Sequence, residues 1–317
     1  MAELLRWFRN LGEVTDRIYI GNSTVGGGQG VFLAEDAYWN DVLFRVPTRA
    51  CIKMQNVLDD PECGNAFKRL IDETDDGLGW LTAFCGYLVK KWLMEGPDGK
   101  DFGPYLSTLP WAKLPNGTGQ EHILWWSDAD VKALEGSPVY KDVTDMRESV
   151  DVACSALGPL LAQLVTPDVL RQHQQEKPFS TEQIEQLACE ALRGAFVIHL
   201  SRTMLIKDDP NSLAGSPEIL PSSERVDGYR YGKRGWLVPV LDIIQHGILE
   251  EPMIGYYQCG DAINVVCLRD KIPKGTELFH SYGEMPPHAF LPHFGFVDGS
   301  RKPLLELVRS KDPLLFG

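Results

Sequence analysis

The spacing of apolar residues changes character twice along this chain. At the start, Leu4, Leu5 and Phe8 recur at helical intervals among charged residues and predict a short amphipathic helix. The pattern then switches to alternation. Asp16-Arg-Ile-Tyr-Ile20 and Val42-Leu-Phe-Arg-Val-Pro47 read as strands, and Gly26-Gly-Gly-Gln-Gly30 runs into a further strand-like piece, Val31-Phe-Leu-Ala34. From about Phe67 helical spacing takes over. Leu78 to Met94 places bulky apolar groups every three or four residues, Ser149 to Leu164 predicts another helix, and Ser180 opens a third as a capping residue, with periodicity lasting to about Met204.

Residues 207 to 235 are polar and rich in Ser, Pro and Gly, which predicts a loop. Strand patterns then return over Trp236 to Val240, Met253 to Gln258, Ala262 to Leu268 and Glu277 to His280, with Lys271-Ile-Pro-Lys-Gly275 as a turn. The order is β, then mostly α, then β. It predicts an α+β protein in which one β-rich domain is interrupted by a largely helical insertion. The expected divisions are 1–66, the insertion at 67–189, the second β-rich part at 190–300, and a short tail at 301–317.

Composition narrows the classes. A chain of 317 residues that is 44% hydrophobic can build a sizeable core. Its formal net charge of −13 argues against direct nucleic-acid binding, which needs a cationic surface, and is compatible with a basic protein or peptide partner. Plain solubility explains the same charge equally well. Seven cysteines without a C-x-x-C pair argue against a structural zinc cluster and fit reduced thiols in an intracellular protein of the nucleus or cytoplasm. No apolar run reaches membrane-spanning length, so no membrane association is expected, and a monomer is the expected state.

Single motifs are weak. The glycine cluster is followed by a strand pattern rather than a helix, so a dinucleotide fingerprint is unsupported. Taken alone it is a hairpin turn. His246, His280, His288 and His293 could be imagined as metal ligands, but no metal-binding spacing accompanies them and no metal is expected. His199-Leu-Ser-Arg202 lacks the glycines of a hydrolase nucleophile turn. Most of the tryptophans read as core residues.

Taken in order, the pieces say more. Gly26-Gly-Gly-Gln-Gly-Val-Phe-Leu-Ala34, Ser201-Arg202, Leu237-Val-Pro-Val-Leu-Asp242, Gln245-His246, Lys274-Gly-Thr-Glu277, Ser281-Tyr-Gly283 and Phe294-Gly-Phe-Val297 form an ordered set. The set resembles the split-SET group of SET-domain protein methyltransferases, similar to the Rubisco large-subunit lysine methyltransferase and its animal relatives. The resemblance covers about residues 4–50 and 190–298, and the insertion matches in position and helical character only.

The resemblance implies a β-rich SET fold with pseudoknot-like threading, which would bring segments 237–246 and 278–283 together. It also implies an S-adenosylmethionine-dependent protein-lysine N-methyltransferase. By matching positions, Tyr282 is the implied catalytic residue. Gly27, Gly28, Gln29, Arg202, Gln245, His246, Tyr282 and Phe296 are the implied cofactor positions. Arg202, Asp242, Tyr257 and Phe294 are the implied substrate positions, with Tyr256 an alternative to Tyr257. Histone H3 tails are one compatible target and a non-histone lysine another. Histidine methylation, and a catalytically weak scaffold that binds partners, are the rival functions.

Three departures stand out. Gln245 replaces the family's usual asparagine, which moves the same amide along a longer stem. Phe294 stands where related enzymes can carry tyrosine. Only about twenty residues follow Val297, whereas related enzymes continue into a long helical substrate-binding domain, so the resemblance leaves substrate selection to the insertion and nearby loops.

Overall fold

A computed structural model describes residues 2–11, 16–25, 28–74, 78–95, 101–111, 122–165, 180–206, 235–247, 252–283, 285–300 and 302–317. The 207–235 loop expected from sequence therefore lies, but for Gly235, outside the described residues. The chain divides into two compact units. One draws on the described residues of 1–54, 202–224 and 234–284, the other on those of 55–201, 225–233 and 285–317.

The first unit is β-rich. Helix α1 (Ala2–Asn10) opens it and buries Leu4 and Phe8, the apolar face predicted from spacing. Strands β1 (Ile18–Asn22) and β2 (Gln29–Leu33) form an antiparallel hairpin in which Asn22 faces Gln29. Of the glycine cluster between them, Gly28 and Gly30 are described, Gly28 just before β2 and Gly30 within it. Short β3 (Ala37–Tyr38) leads into β4 (Val42–Pro47) and then β5 (Ile52–Lys53).

The helical unit begins within the one-turn helix α2 (Met54–Leu58) and continues through α3 (Gly64–Glu73) and α4 (Leu78–Glu95). Helix α4 buries Leu81, Phe84, Cys85, Leu88 and Val89, which accounts for the dense apolar run there. Helix α5 (Gly103–Leu106) and helix α6 (Asp128–Lys132) are short, and helix α7 (Tyr140–Ala162) starts nine residues before the expected Ser149.

Helix α8 (Thr181–Arg202) is capped as predicted: the Gln183 amide donates to Ser180 Oγ at 3.2 Å, and the Ser180 amide to Gln183 Oε1 at 2.9 Å. Its run from Ala195 to Leu200 is wholly buried, and Gly194 lies against the Trp111 carbonyl. Helix α8 up to Ser201 groups with the helical unit.

After α8 the chain re-enters the β-rich unit. Strands β6 (Thr203–Leu205) and β7 (Gly235–Leu237) pair antiparallel, and β5 joins the other edge of β7. Strand β7 stops three residues short of the Val240 predicted, because the chain turns at Val240 into a 3-10 helix, Leu241–Ile243. Next come β8 (Gln245–His246), β9 (Ile254–Cys259) and β10 (Ala262–Cys267). Strand β10 is buried along its whole length because β4 and β9 flank it. Lys271–Ile272, expected as part of a turn, is instead strand β11, paired with β3. The last strand, β12 (Phe279–His280), is shorter than the predicted 277–280.

Residues beyond Met285 count with the helical unit. Helix α9 (Phe290–Phe294) ends at Gly295 in the left-handed conformation. The expected tail contains helices, α10 (Leu304–Ser310) and α11 (Pro313–Phe316), that bury Leu307, Val308 and Leu315. All seven cysteines are free thiols. Among the described residues, no helix is long and apolar enough to cross a membrane.

Candidate active site

Two distant stretches of the β-rich unit meet side by side. Strands β8 and β12 pair in parallel, with Gln245 opposite Phe279 and His246 opposite His280. Parallel pairs this short need support from their flanks. Here the Gly247 amide donates to the His280 carbonyl at 3.3 Å, and the Tyr282 amide donates to His246 Nδ1 at 3.1 Å. The latter bond makes Nδ1 an acceptor, so in the neutral ring the proton sits on Nε2.

Tyr282 leaves β12 directly into this junction. Its hydroxyl donates to the Ile244 carbonyl at 2.9 Å, and its ring lies 5.1 Å from that of His246 and 5.0 Å from that of His280. Burial pushes its phenol well above the usual tyrosine range; Arg202 opposes that rise and Asp242 adds to it. The group is thus a neutral phenol at physiological pH. Burial also lowers His280 to about 4, with His246 adding to the effect, so the His280 ring is neutral as well.

Arg202 and Asp242 are brought together by local geometry. Arg202 ends α8, and the pairing of Thr203 with Leu237 sets it beside the chain that leaves β7. Val240 then takes a φ of +71°, and the Asp242 amide donates back to the Val238 carbonyl at 3.1 Å. A positive φ at a β-branched residue is costly, on the order of 1–3 kcal/mol, and such strain gathers at functional sites. The turn aims Asp242 inward. Arg202 Nη1 donates to the Asp242 carbonyl at 3.2 Å and to its carboxylate at 3.3 Å. The Asp242 side chain is fully enclosed and that of Arg202 is 26% exposed.

The glycine-rich turn borders the same junction through Gln245. Its Nε2 donates to the Gln29 carbonyl at 2.7 Å and to the Ile243 carbonyl at 3.3 Å. Gly28 is exposed with φ +89°, a conformation that glycine adopts without steric cost, and nothing lies within 4 Å of where a Cβ would stand. Gly27 lies outside the described residues.

The remaining expected positions have their own surroundings. Tyr257 accepts from Asn264 Nδ2 at 3.4 Å, its partner across the β9–β10 ladder. Adjacent Tyr256 points to the opposite face, as successive strand residues must, and packs edge-on against His280 at 5.9 Å. The Tyr256 ring thus neighbours His280, whose ring in turn lies beside Tyr282. Phe294 and Phe296 belong to the helical unit, where they cluster with Phe290 at ring separations of 5.4–6.0 Å. Among the described residues no group of three His, Cys, Asp or Glu could hold an ion.

Two participants were named in the sequence but given no part in this site. His280 entered only as a metal candidate, although its alternation with Tyr282 places both rings on one face. Glu277 is buried and holds Thr24, its Oε2 accepting from the Thr24 amide at 2.7 Å and from Thr24 Oγ1 at 2.5 Å. A buried carboxylate within an otherwise apolar strand pattern was the available signal for it.

Comparison with known proteins completes the description of the fold. The SET domain of Rubisco LSMT bound to lysine and AdoHcy superposes with a TM-score of 0.61 at 18% identity, covering 94% of this chain and 57% of that one. A structure of Rubisco LSMT bound to AdoMet gives 0.60 at 18% identity, with 95% and 57% covered. In sequence, the chain is similar to N-lysine methyltransferase setd6 of Xenopus laevis, 21% identical over 304 residues, spanning 94% of this chain and 57% of that protein. No family model matches the chain. The chain thus spans about 57% of the length of the relatives it matches. These likenesses establish that this chain carries the SET-domain fold, as its ordered motifs implied.

Proposed function

We propose that this SET-fold chain is an S-adenosylmethionine-dependent protein-lysine N-methyltransferase whose acceptor is a basic protein or peptide. The observation that carries the proposal is the placement of the Tyr282 phenol at the junction of β8 and β12, beside Arg202 and Asp242 and adjoining the glycine-rich turn. Rubisco LSMT, which has the same fold, is seen bound to AdoMet and to lysine with AdoHcy.

The residues present fit the cofactor. S-adenosylmethionine, when bound, supplies a methyl group already activated by a sulfonium. An open space beside Gly28 can admit it. Both Arg202 contacts use Nη1, so the other guanidinium nitrogens can take a carboxylate. Gly28, Gln29, Arg202, Gln245 and His246 are the residues we assign to holding it.

The chain's remaining task is to present a neutral amine in line and without water. A free lysine has a pKa of ~10.4, so at pH 7.4 its neutral form costs about 4 kcal/mol. An enclosed site reduces that cost by disfavouring the ammonium. With the donor bound, the amine lone pair would form the new C–N bond as the donor's C–S bond broke, and the methylated ammonium would give its proton to solvent. Tyr282 does not act as the base in this scheme, because burial keeps its phenol protonated. Its oxygen, fixed by donation to the Ile244 carbonyl, orients the amine and faces the partial charge of the moving methyl. The enclosed Asp242 carboxylate adds favourable negative potential for a cationic product.

The net charge of −13 supports a basic acceptor, among which a histone H3 tail is one choice. The test is incubation of the protein with methyl-labelled S-adenosylmethionine and, in separate arms, histone H3, core histones and cell extract. Label in a lysine of one arm, located by mass spectrometry, supports the reading. Label on histidine replaces lysine as the target. Tight cofactor binding with no label in any arm sinks the enzyme reading in favour of a scaffold.

A further inference from the structure

We propose that Gln245 is a positioning residue: its side-chain amide holds the glycine-rich turn in a cofactor-accepting shape from behind rather than touching the cofactor, and Glu277 holds the other end of that turn. The inference rests on the reading that this turn receives S-adenosylmethionine, and it assigns the departure from the family's asparagine a role of its own.

The amide has little choice of orientation. Both groups near it, the carbonyls of Gln29 at 2.7 Å and Ile243 at 3.3 Å, are acceptors. Only the NH2 end can face them, and its two hydrogens are both engaged there. No donor remains on this side chain for a ligand, and only its Oε1 is left as an acceptor. The backbone of Gln245 is in turn fixed opposite Phe279 by the parallel pairing. The amide therefore ties the re-entry point of the turn to the paired stretches on which Tyr282 stands.

The other end of the turn is held from the same place in the chain. Thr24 donates twice to Glu277 Oε2, two residues before β12. Glu277 is only 4% exposed. Its second oxygen lies so close to Gly30 that a Cβ there would stand 2.2 Å away. Between the two anchors, the Ser23 amide donates to the Gly28 carbonyl at 3.0 Å and closes the turn. A turn fixed at both ends loses less freedom when a ligand settles on it, so the anchors raise affinity without contact.

The length of the stem is the discriminating feature. Asparagine is shorter by one carbon–carbon bond, about 1.5 Å, and from the same backbone its amide falls short of the Gln29 carbonyl. If Gln245 acted as a direct ligand, Gln245→Asn would restore the family's residue and keep or improve cofactor binding. As a positioning residue it predicts the opposite.

The experiment compares wild type with Gln245→Asn, Gln245→Glu and Thr24→Val, each checked for folding by circular dichroism. Hydrogen exchange at the amides of Thr24, Val25, Gly28 and Gln29 is measured without ligand, and S-adenosylmethionine affinity by calorimetry. Thr24 is exposed, so its variant keeps the test alive if the Gln245 variants do not fold. The expected result is faster exchange in every variant and cofactor binding weaker on the order of fivefold. Unchanged exchange, or Gln245→Asn binding as tightly as wild type, overturns the proposal. Wild-type protein that binds no S-adenosylmethionine refutes the methyltransferase reading instead, and a role for Gln245 in affinity falls with it, while the exchange data still decide whether the amide anchors the turn.

Discussion

Arg202 grips Asp242 twice through one nitrogen, at 3.2 Å to its carbonyl and 3.3 Å to its carboxylate, across forty residues of sequence. The carboxylate is fully enclosed, so losing this partner is costly. Arg202→Met should lower stability to urea by on the order of 2–3 kcal/mol, below the full cost of orphaning a buried charge because the arginine itself is partly solvated. The double variant Arg202→Met/Asp242→Leu should recover most of that loss. A double variant as unstable as the sum of the singles would show that the two side chains are not coupled.

Acid should weaken the fold before most carboxylates titrate. Burial lowers His122 and His280 to about 4 and His199 to about 3, from an ordinary value of ~6.5. The unfolded chain therefore binds protons that the folded one refuses. Their contribution to stability is complete above about pH 6.5 and is lost as pH falls toward 4, and toward 3 for His199. His199→Leu should flatten the slope of unfolding free energy between pH 4 and 6 by up to about 1.4 kcal/mol per pH unit. An unaltered slope would contradict the assignment.

Gly194→Ala sets two effects against each other. Alanine is the better helix former by about 1 kcal/mol. The added methyl, however, would stand 2.3 Å from the Trp111 carbonyl oxygen, a backbone atom that cannot swing away. Overpacking of that kind costs about 1–3 kcal/mol. We expect a net loss in thermal unfolding. A variant more stable than wild type would mean that α8 and the Trp111 segment are not packed this closely.

Legibility from sequence followed physical scale. Helices α4 and α8 and strand β4 were readable because each carries its own period, and the Ser180 cap because its partner is three residues away. The parallel meeting of Gln245 with Phe279 was not readable from any period. Each strand there has two residues, and only the family resemblance implied that the segments meet. Arg202, Asp242 and Tyr282 were named through that resemblance and lie together in the structure. Which of Tyr256 and Tyr257 packs against His280 turned on a strand's face, which depends on the register of β9 with β10. The amide of Gln245 turned on a tertiary bond to a carbonyl 216 residues away, which no local pattern encodes. Val240 gave no warning either, since valine disfavours the positive φ it adopts.

The central claim is that the Tyr282 hydroxyl, held by the Ile244 carbonyl, serves methyl transfer rather than cofactor binding or folding. The most direct measurement is single-turnover transfer from labelled S-adenosylmethionine to an acceptor found with wild type, for wild type and Tyr282→Phe, beside calorimetric cofactor affinity for both. The account predicts a transfer rate lower by about a hundredfold or more, with affinity within a few-fold of wild type. Equal transfer rates for the two proteins would contradict it.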